Sequence, residues 1–117
     1  MAGQGAGNGA GYGLPSEFAE DVLDVVAEIP AGCVLTYKDI AEIVGRGGAR
    51  AVGTVMSRFG SDVPWWRVVR ADGGFPQGHE DRALAHYREE GTPLVGGVLA
   101  GRRVDLSRAR WVGPESP

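Results

Sequence analysis

The sequence predicts a mainly α fold carrying one small β-hairpin, and three observations predict it. Four stretches repeat apolar residues at helical spacing, and three of them stop at glycine or proline. An Asp72-Gly73 step flanked by apolar residues is a hairpin-turn signal. The chain has 117 residues, enough for one domain with a modest core, and its 43% hydrophobic and 23% charged content is that of a globular protein.

Residues 1–13, MAGQGAGNGAGYG, alternate glycine with small or polar residues and carry no charge. Such a segment buries too little surface to offset its ordering entropy, so it is expected to be a disordered tail, with a single folded domain over 14–117. Ser16 is placed to cap a first helix, in which Phe18, Val22, Val25, Val26 and Ile29 recur on one face until Pro30 and Gly32 end it. A second helix opens at Thr36, with Asp39 three residues on as a capping box. Ile40, Ala41, Ile43 and Val44 give it an apolar side and Gly45 closes it.

After the turn Arg46-Gly47-Gly48, a third helix is expected from about Ala49 to Phe59. Val52, Val55, Met56 and Phe59 form its core stripe. Arg50, Gly53, Thr54 and Ser57 form a second stripe nearly free of bulk. A glycine inside a helix costs about 1 kcal/mol relative to alanine, so this face asks for a close neighbour, either another helix or a sugar-phosphate backbone. Trp66 to Arg70 should then be a short strand running into the Asp72-Gly73 turn, and a fourth helix should span about Glu80 to Glu90. In that helix Ala83, Leu84 and Tyr87 face inward and Gly91 is the stop. The remainder, Leu94 to Val112, suggests a strand near Val104 and a packed Trp111.

Charge is unevenly spread. The net charge is −3, but Leu14 to Gly45 holds Glu17, Glu20, Asp21, Asp24, Glu28, Asp39 and Glu42 against Lys38 alone. Arg46 to Arg70 holds Arg46, Arg50, Arg58, Arg67 and Arg70 against Asp62. A basic middle in an acidic chain suits an anionic partner; arginines scattered over a solvated face suit it equally. The lone Cys33 forbids an intrachain disulfide and fits a reducing compartment. With no apolar run of membrane-spanning length and no secretory leader, a soluble cytoplasmic protein is expected, without membrane association. His79, His86 and Cys33 lack metal-site spacing, so neither metal nor cofactor is expected.

Two helices joined by a short glycine turn, the second with a basic small-residue face, form a helix-turn-helix pattern, and with the hairpin a winged-helix-like DNA-binding domain. A plain helical hairpin is the alternative. The segments GCVLTYKDIAEIVG, ARAVGTVM, PWWRVV and REEG follow one another at a spacing that resembles the O6-alkylguanine-DNA alkyltransferases, and in particular their alkyltransferase-like relatives, from about Ser16 to Gly91.

In the transferases the loop reads Pro-Cys-His-Arg-Val, and its cysteine, activated through a histidine and a glutamate, accepts the alkyl group. Here Trp65 stands in the cysteine's place and Trp66 in the histidine's, with Glu90 retained. An indole is not a thiolate nucleophile, so the resemblance implies a protein that is not an enzyme. It implies a monomer that binds double-stranded DNA containing O6-alkylguanine through the minor groove and flips the base. The site is then flagged for nucleotide excision repair proteins. The DNA-binding and base-flipping residues would be Tyr37, Ala49, Arg50, Ala51, Gly53, Thr54 and Ser57, with Arg50 filling the vacated stack and Tyr37 rotating the target phosphate. The lesion pocket would hold Tyr37, Met56, Trp65, Val68 and Phe75.

Blander roles stand beside these: Tyr37 packed on the core, Arg50 solvated, Trp66 packing and Arg67 organising the loop. Glu90 would be a mere helix-end carboxylate and Cys33 an inert buried thiol. Two other functions stay open, a residual alkyltransferase using Cys33 and a sequence-specific helix-turn-helix regulator reading the major groove.

Overall fold

The computed structural model describes residues 16–97 and 101–113; the glycine-rich stretch 1–13 lies outside them. Helix α1, Glu17–Glu28, begins where Ser16 takes extended backbone and its hydroxyl accepts the Ala19 N–H at 3.1 Å. Ala19, Val22 and Val26 are its buried stripe. After strand β1, Leu35–Thr36, helix α2 runs over Tyr37–Val44. Its capping box is complete: the Asp39 N–H donates to Thr36 Oγ1 and the Thr36 N–H to Asp39 Oδ2, both at 3.0 Å. Gly45 ends α2 with φ +90°, a left-handed conformation that glycine takes without penalty. Helix α3, Gly48–Phe59, follows at once.

These three helices pack on one another around Val22, Val26, Ile29, Leu35, Ile40, Val52, Val55 and Val68. Each fully buried aliphatic side chain of this kind contributes about 1.5–3 kcal/mol. A second cluster gathers Val34, Val69, Phe75, Ala83, Tyr87, Val104 and Ala109 beneath helix α4, Glu80–Glu90. Helix α4 has the bounds the sequence predicts, and Gly91 closes it with φ +72°.

The strands differ from expectation. Trp65–Arg67 is a 3₁₀ turn, and strand β2 is only Val68–Val69. Strand β2 finds its partner far back in the chain, pairing in parallel with β1 (Leu35 with Val68, Thr36 with Val69). The other edge of this small sheet is used as well. The Val34 N–H donates to the Ala109 carbonyl and the Trp111 N–H to the Val34 carbonyl, both at 2.9 Å, bringing Arg110 alongside.

The Asp72-Gly73 turn forms, with the Gly73 N–H on the Arg70 carbonyl at 2.8 Å, but no strand returns from it. The Gly73 carbonyl instead accepts the Val104 N–H at 2.8 Å, so close that a Cβ at Gly73 would collide with the Val104 carbonyl oxygen. The hairpin lies later, between β3, Leu94–Val95, and β4, Arg103–Val104, which pair antiparallel. A short helix α5, Leu106–Ala109, capped by Asp105, follows it, and Trp111 packs half-buried on the first cluster.

Candidate nucleic-acid interface

A cleft of about 640 Å³ opens between α3 and the segment leading into α4. Tyr37, at the first turn of α2, and Gly53, Met56 and Ser57 of α3 line one side; Trp65, Gln77, His79 and Arg82 line the other. Five of the residues singled out from sequence therefore meet here: Tyr37, Gly53, Met56, Ser57 and Trp65. Ala49, Arg50 and Thr54 are exposed on α3 and Ala51 is half-buried. The Thr54 hydroxyl donates to the Arg50 carbonyl at 3.2 Å, while the Arg50 guanidinium has no ion-pair partner among the described residues.

Val68 and Phe75 do not reach the cleft. Val68 is locked between the strands at 1% exposure, and Phe75 turns inward against the Tyr87 ring, 4.9 Å between centroids. Both are core residues: Val68 packs in the first cluster and Phe75 in the second.

Gly53 answers the question raised by the small-residue stripe. Nothing lies within 4 Å of where its Cβ would be, so no neighbouring helix requires the glycine. The small face opens on the cleft and on solvent. Tyr37 combines two roles, its ring packing on the first core cluster while also lining the cleft. Burial pushes its phenol above the ordinary value, with the Arg70 charge opposing, so the hydroxyl stays protonated and able to donate.

Trp65 sits at the centre of an aromatic group. Its ring meets Trp66 edge-on at 5.5 Å, His79 at 5.6 Å and His86 at 5.8 Å, and the Arg82 guanidinium lies 5.1 Å above it. Trp66 turns away from the cleft and stacks on His86 at 3.6 Å. Its indole N–H donates to Glu90 Oε2 at 2.9 Å.

Glu90 is a hub rather than a helix-end carboxylate. It also accepts Arg67 Nε at 3.1 Å, Arg67 Nη2 at 2.6 Å and the Gly32 N–H at 3.2 Å, while Arg67 Nη1 reaches the Ile29 carbonyl at 2.8 Å. Burial alone would raise the Glu90 carboxyl. The hydrogen bonds from Arg67, Trp66 and Gly32, together with the Arg67 charge, outweigh it and hold the carboxyl below its ordinary value.

Part of the basic middle of the sequence is engaged within the protein. Arg46 pairs with Asp21 at 2.8 Å, Arg67 with Glu90, Arg70 lies across Gly74, and Arg58 lies 5.6 Å over the Phe59 ring. Cys33 is half-buried among first-cluster side chains and does not line the cleft. Among the described residues, no group of three His, Cys, Asp or Glu is placed to hold a metal, and no helix is long and apolar enough to cross a membrane.

Sequence reasoning missed His79 and Arg82. Their i, i+3 spacing at the start of α4 puts them on one helix face, and Arg82 Nη2 donates to His79 Nδ1 at 3.0 Å. That spacing was visible, but which wall the face would meet was not.

The family model of the 6-O-methylguanine DNA methyltransferase DNA-binding domain matches residues 17–92. The chain is 37% identical over 99 residues to the DNA base-flipping protein of Escherichia coli K12, covering 80% of this chain and 74% of that one. It is 34% identical over 102 residues to Alkyltransferase-like protein 1 of Schizosaccharomyces pombe, covering 81% and 94%. The fold matches the crystal structure of S. pombe Atl1 in complex with damaged DNA containing O6-carboxymethylguanine, with a TM-score of 0.72 and 33% identity over 84% of this chain and 98% of that one. It also matches Mycobacterium tuberculosis OGT in complex with DNA, with a TM-score of 0.57 and 25% identity over 77% and 70%.

Proposed function

We propose that this chain, which belongs to the family of the 6-O-methylguanine DNA methyltransferase DNA-binding domain, recognises O6-alkylguanine in duplex DNA without repairing it. The observation that carries the reading is Trp65. It lines the cleft beside α3, where the resemblance puts the alkyl-accepting cysteine, while Cys33 lines no part of it. An indole has no thiolate to attack an O6-alkyl carbon, but it offers a flat face on which a purine can stack, worth about 1–3 kcal/mol per base.

The α3 face supports minor-groove binding. Ala49, Ala51, Gly53 and Thr54 let the sugar-phosphate backbone approach, and the unpaired Arg50 guanidinium is free to enter the base stack as a nucleotide leaves it. Tyr37 at the cleft edge offers a protonated hydroxyl to the target phosphate. An O6-alkyl group already weakens pairing to cytosine, so damage lowers the cost of flipping. The protein acts as a monomer and marks the site for nucleotide excision repair.

Equilibrium binding to paired duplexes holding guanine or O6-methylguanine tests this. The wild type is expected to prefer the lesion. Trp65→Ala should lower lesion affinity by about tenfold, the size of one lost stacking contact, and leave undamaged binding nearly unchanged. Arg50→Ala should weaken both. Equal affinity of the wild type for both duplexes, or transfer of labelled methyl to the protein, would sink the reading.

A further inference from the structure

Arg82 enters the cleft from α4, on the wall opposite α3, and the established likeness assigns it no task. Its guanidinium is held over the Trp65 ring at 5.1 Å and donates one hydrogen bond to His79. Arginine carries five donors, and no carboxylate pairs with Arg82 among the described residues. No Asp or Glu lines the cleft either. The cleft therefore presents a cation with unused donors, in a fork that matches a carboxylate bidentately, and nothing acidic on its walls to neutralise it.

Resting on the proposed stacking of the damaged base on Trp65, we infer that this pocket selects O6-adducts ending in a negative charge. The O6-carboxymethyl group represents the class. Arg82 is the specificity-determining residue, and the His79 bond together with the Trp65 ring fixes its position. A group carried on a base against Trp65 comes within reach of a guanidinium lying on that same indole. An adduct of similar size without charge, such as O6-propyl, fills the space but leaves the donors unpaired.

The test is binding to four duplexes that differ only at one base: guanine, O6-methylguanine, O6-propylguanine and O6-carboxymethylguanine. The full chain is compared with Arg82→Gln and Arg82→Lys. Wild type should bind carboxymethyl about tenfold tighter than propyl, the range of a charge-assisted hydrogen bond. Arg82→Gln should bring that ratio to within about twofold, and Arg82→Lys, which keeps the charge and loses the fork, should retain part of it.

Wild type binding all three adducts equally but tighter than guanine overturns this inference and leaves lesion recognition standing. Failure to separate any adduct from guanine overturns both. A preference that survives Arg82→Gln, or a loss shared equally by all four duplexes, removes Arg82 as its cause; the second outcome makes it a phosphate contact.

Discussion

Trp66 donates its indole N–H to Glu90, the carboxylate that also gathers Arg67 and the Gly32 backbone. Indole and neutral imidazole each offer an N–H donor on a planar ring, so Trp66 serves this carboxylate as a histidine would. With Arg67 and Glu90 side chains only 17% and 11% exposed, removing one charge strands the other. Glu90→Gln should cost about 3 kcal/mol in urea unfolding, the scale of a broken buried pair.

The same residue sets a pH dependence. Its folded-state value lies below the ordinary one, so its contribution is present above the unfolded carboxylate value of about 4.3 and is lost as pH falls through the lower folded value. Acid unfolding of Glu90→Gln, followed by circular dichroism, should lack that component. The sequence indicated that Trp66 packs, but not the hub it serves, because Glu90 lies 24 residues from Trp66 and 58 from Gly32.

Helix α3 was the most legible element, since its two stripes follow from residue spacing alone. What spacing could not decide was whether the small stripe meets another helix, and the empty space above Gly53 shows that it does not. Gly53→Ala should therefore raise thermal stability of the free protein, by about 1 kcal/mol from helix propensity. DNA affinity measured on the same variant should fall; a variant that gains in both respects would mean the backbone never approaches this face.

The strands were the least legible. Val68–Val69 reads as the first arm of a local hairpin, yet its partner is Leu35–Thr36, which no short-range turn signal announces. Val68 and Phe75, close to Trp65 in sequence, belong to the core because one is buried in the first cluster and the other against Tyr87 in the second.

Across the whole molecule, Arg46 and Arg67 of the basic stretch are ion-paired within the protein and α1 carries acids along its length. Under the proposed reading, ion pairing of Arg46 and Arg67 reduces the cations available to phosphates, and the salt dependence of binding measures how many remain. Each neutralised phosphate adds about 0.9 to the slope of log affinity against log salt. A titration should give a slope shallower than about −4, and a steeper one would mean a wider basic footprint than the structure presents. Charge sums along the sequence suggested a patch. Pairing in three dimensions removes part of it, as Arg46 with Asp21 illustrates.

Strand β1 is clasped on both edges, by β2 on one side and by the Ala109–Trp111 segment on the other, both parallel and both distant in sequence. The helices α1 to α3, by contrast, contact their sequence neighbours. Contacts between distant segments carry the larger loop-closure cost and form late. Folding should thus proceed in two tiers, with the three-helix unit first and the wall bearing Trp65 and Arg82 clamped on afterwards. Amide hydrogen exchange should release in the reverse order: the three-helix surface outlasts the wall that closes the cleft.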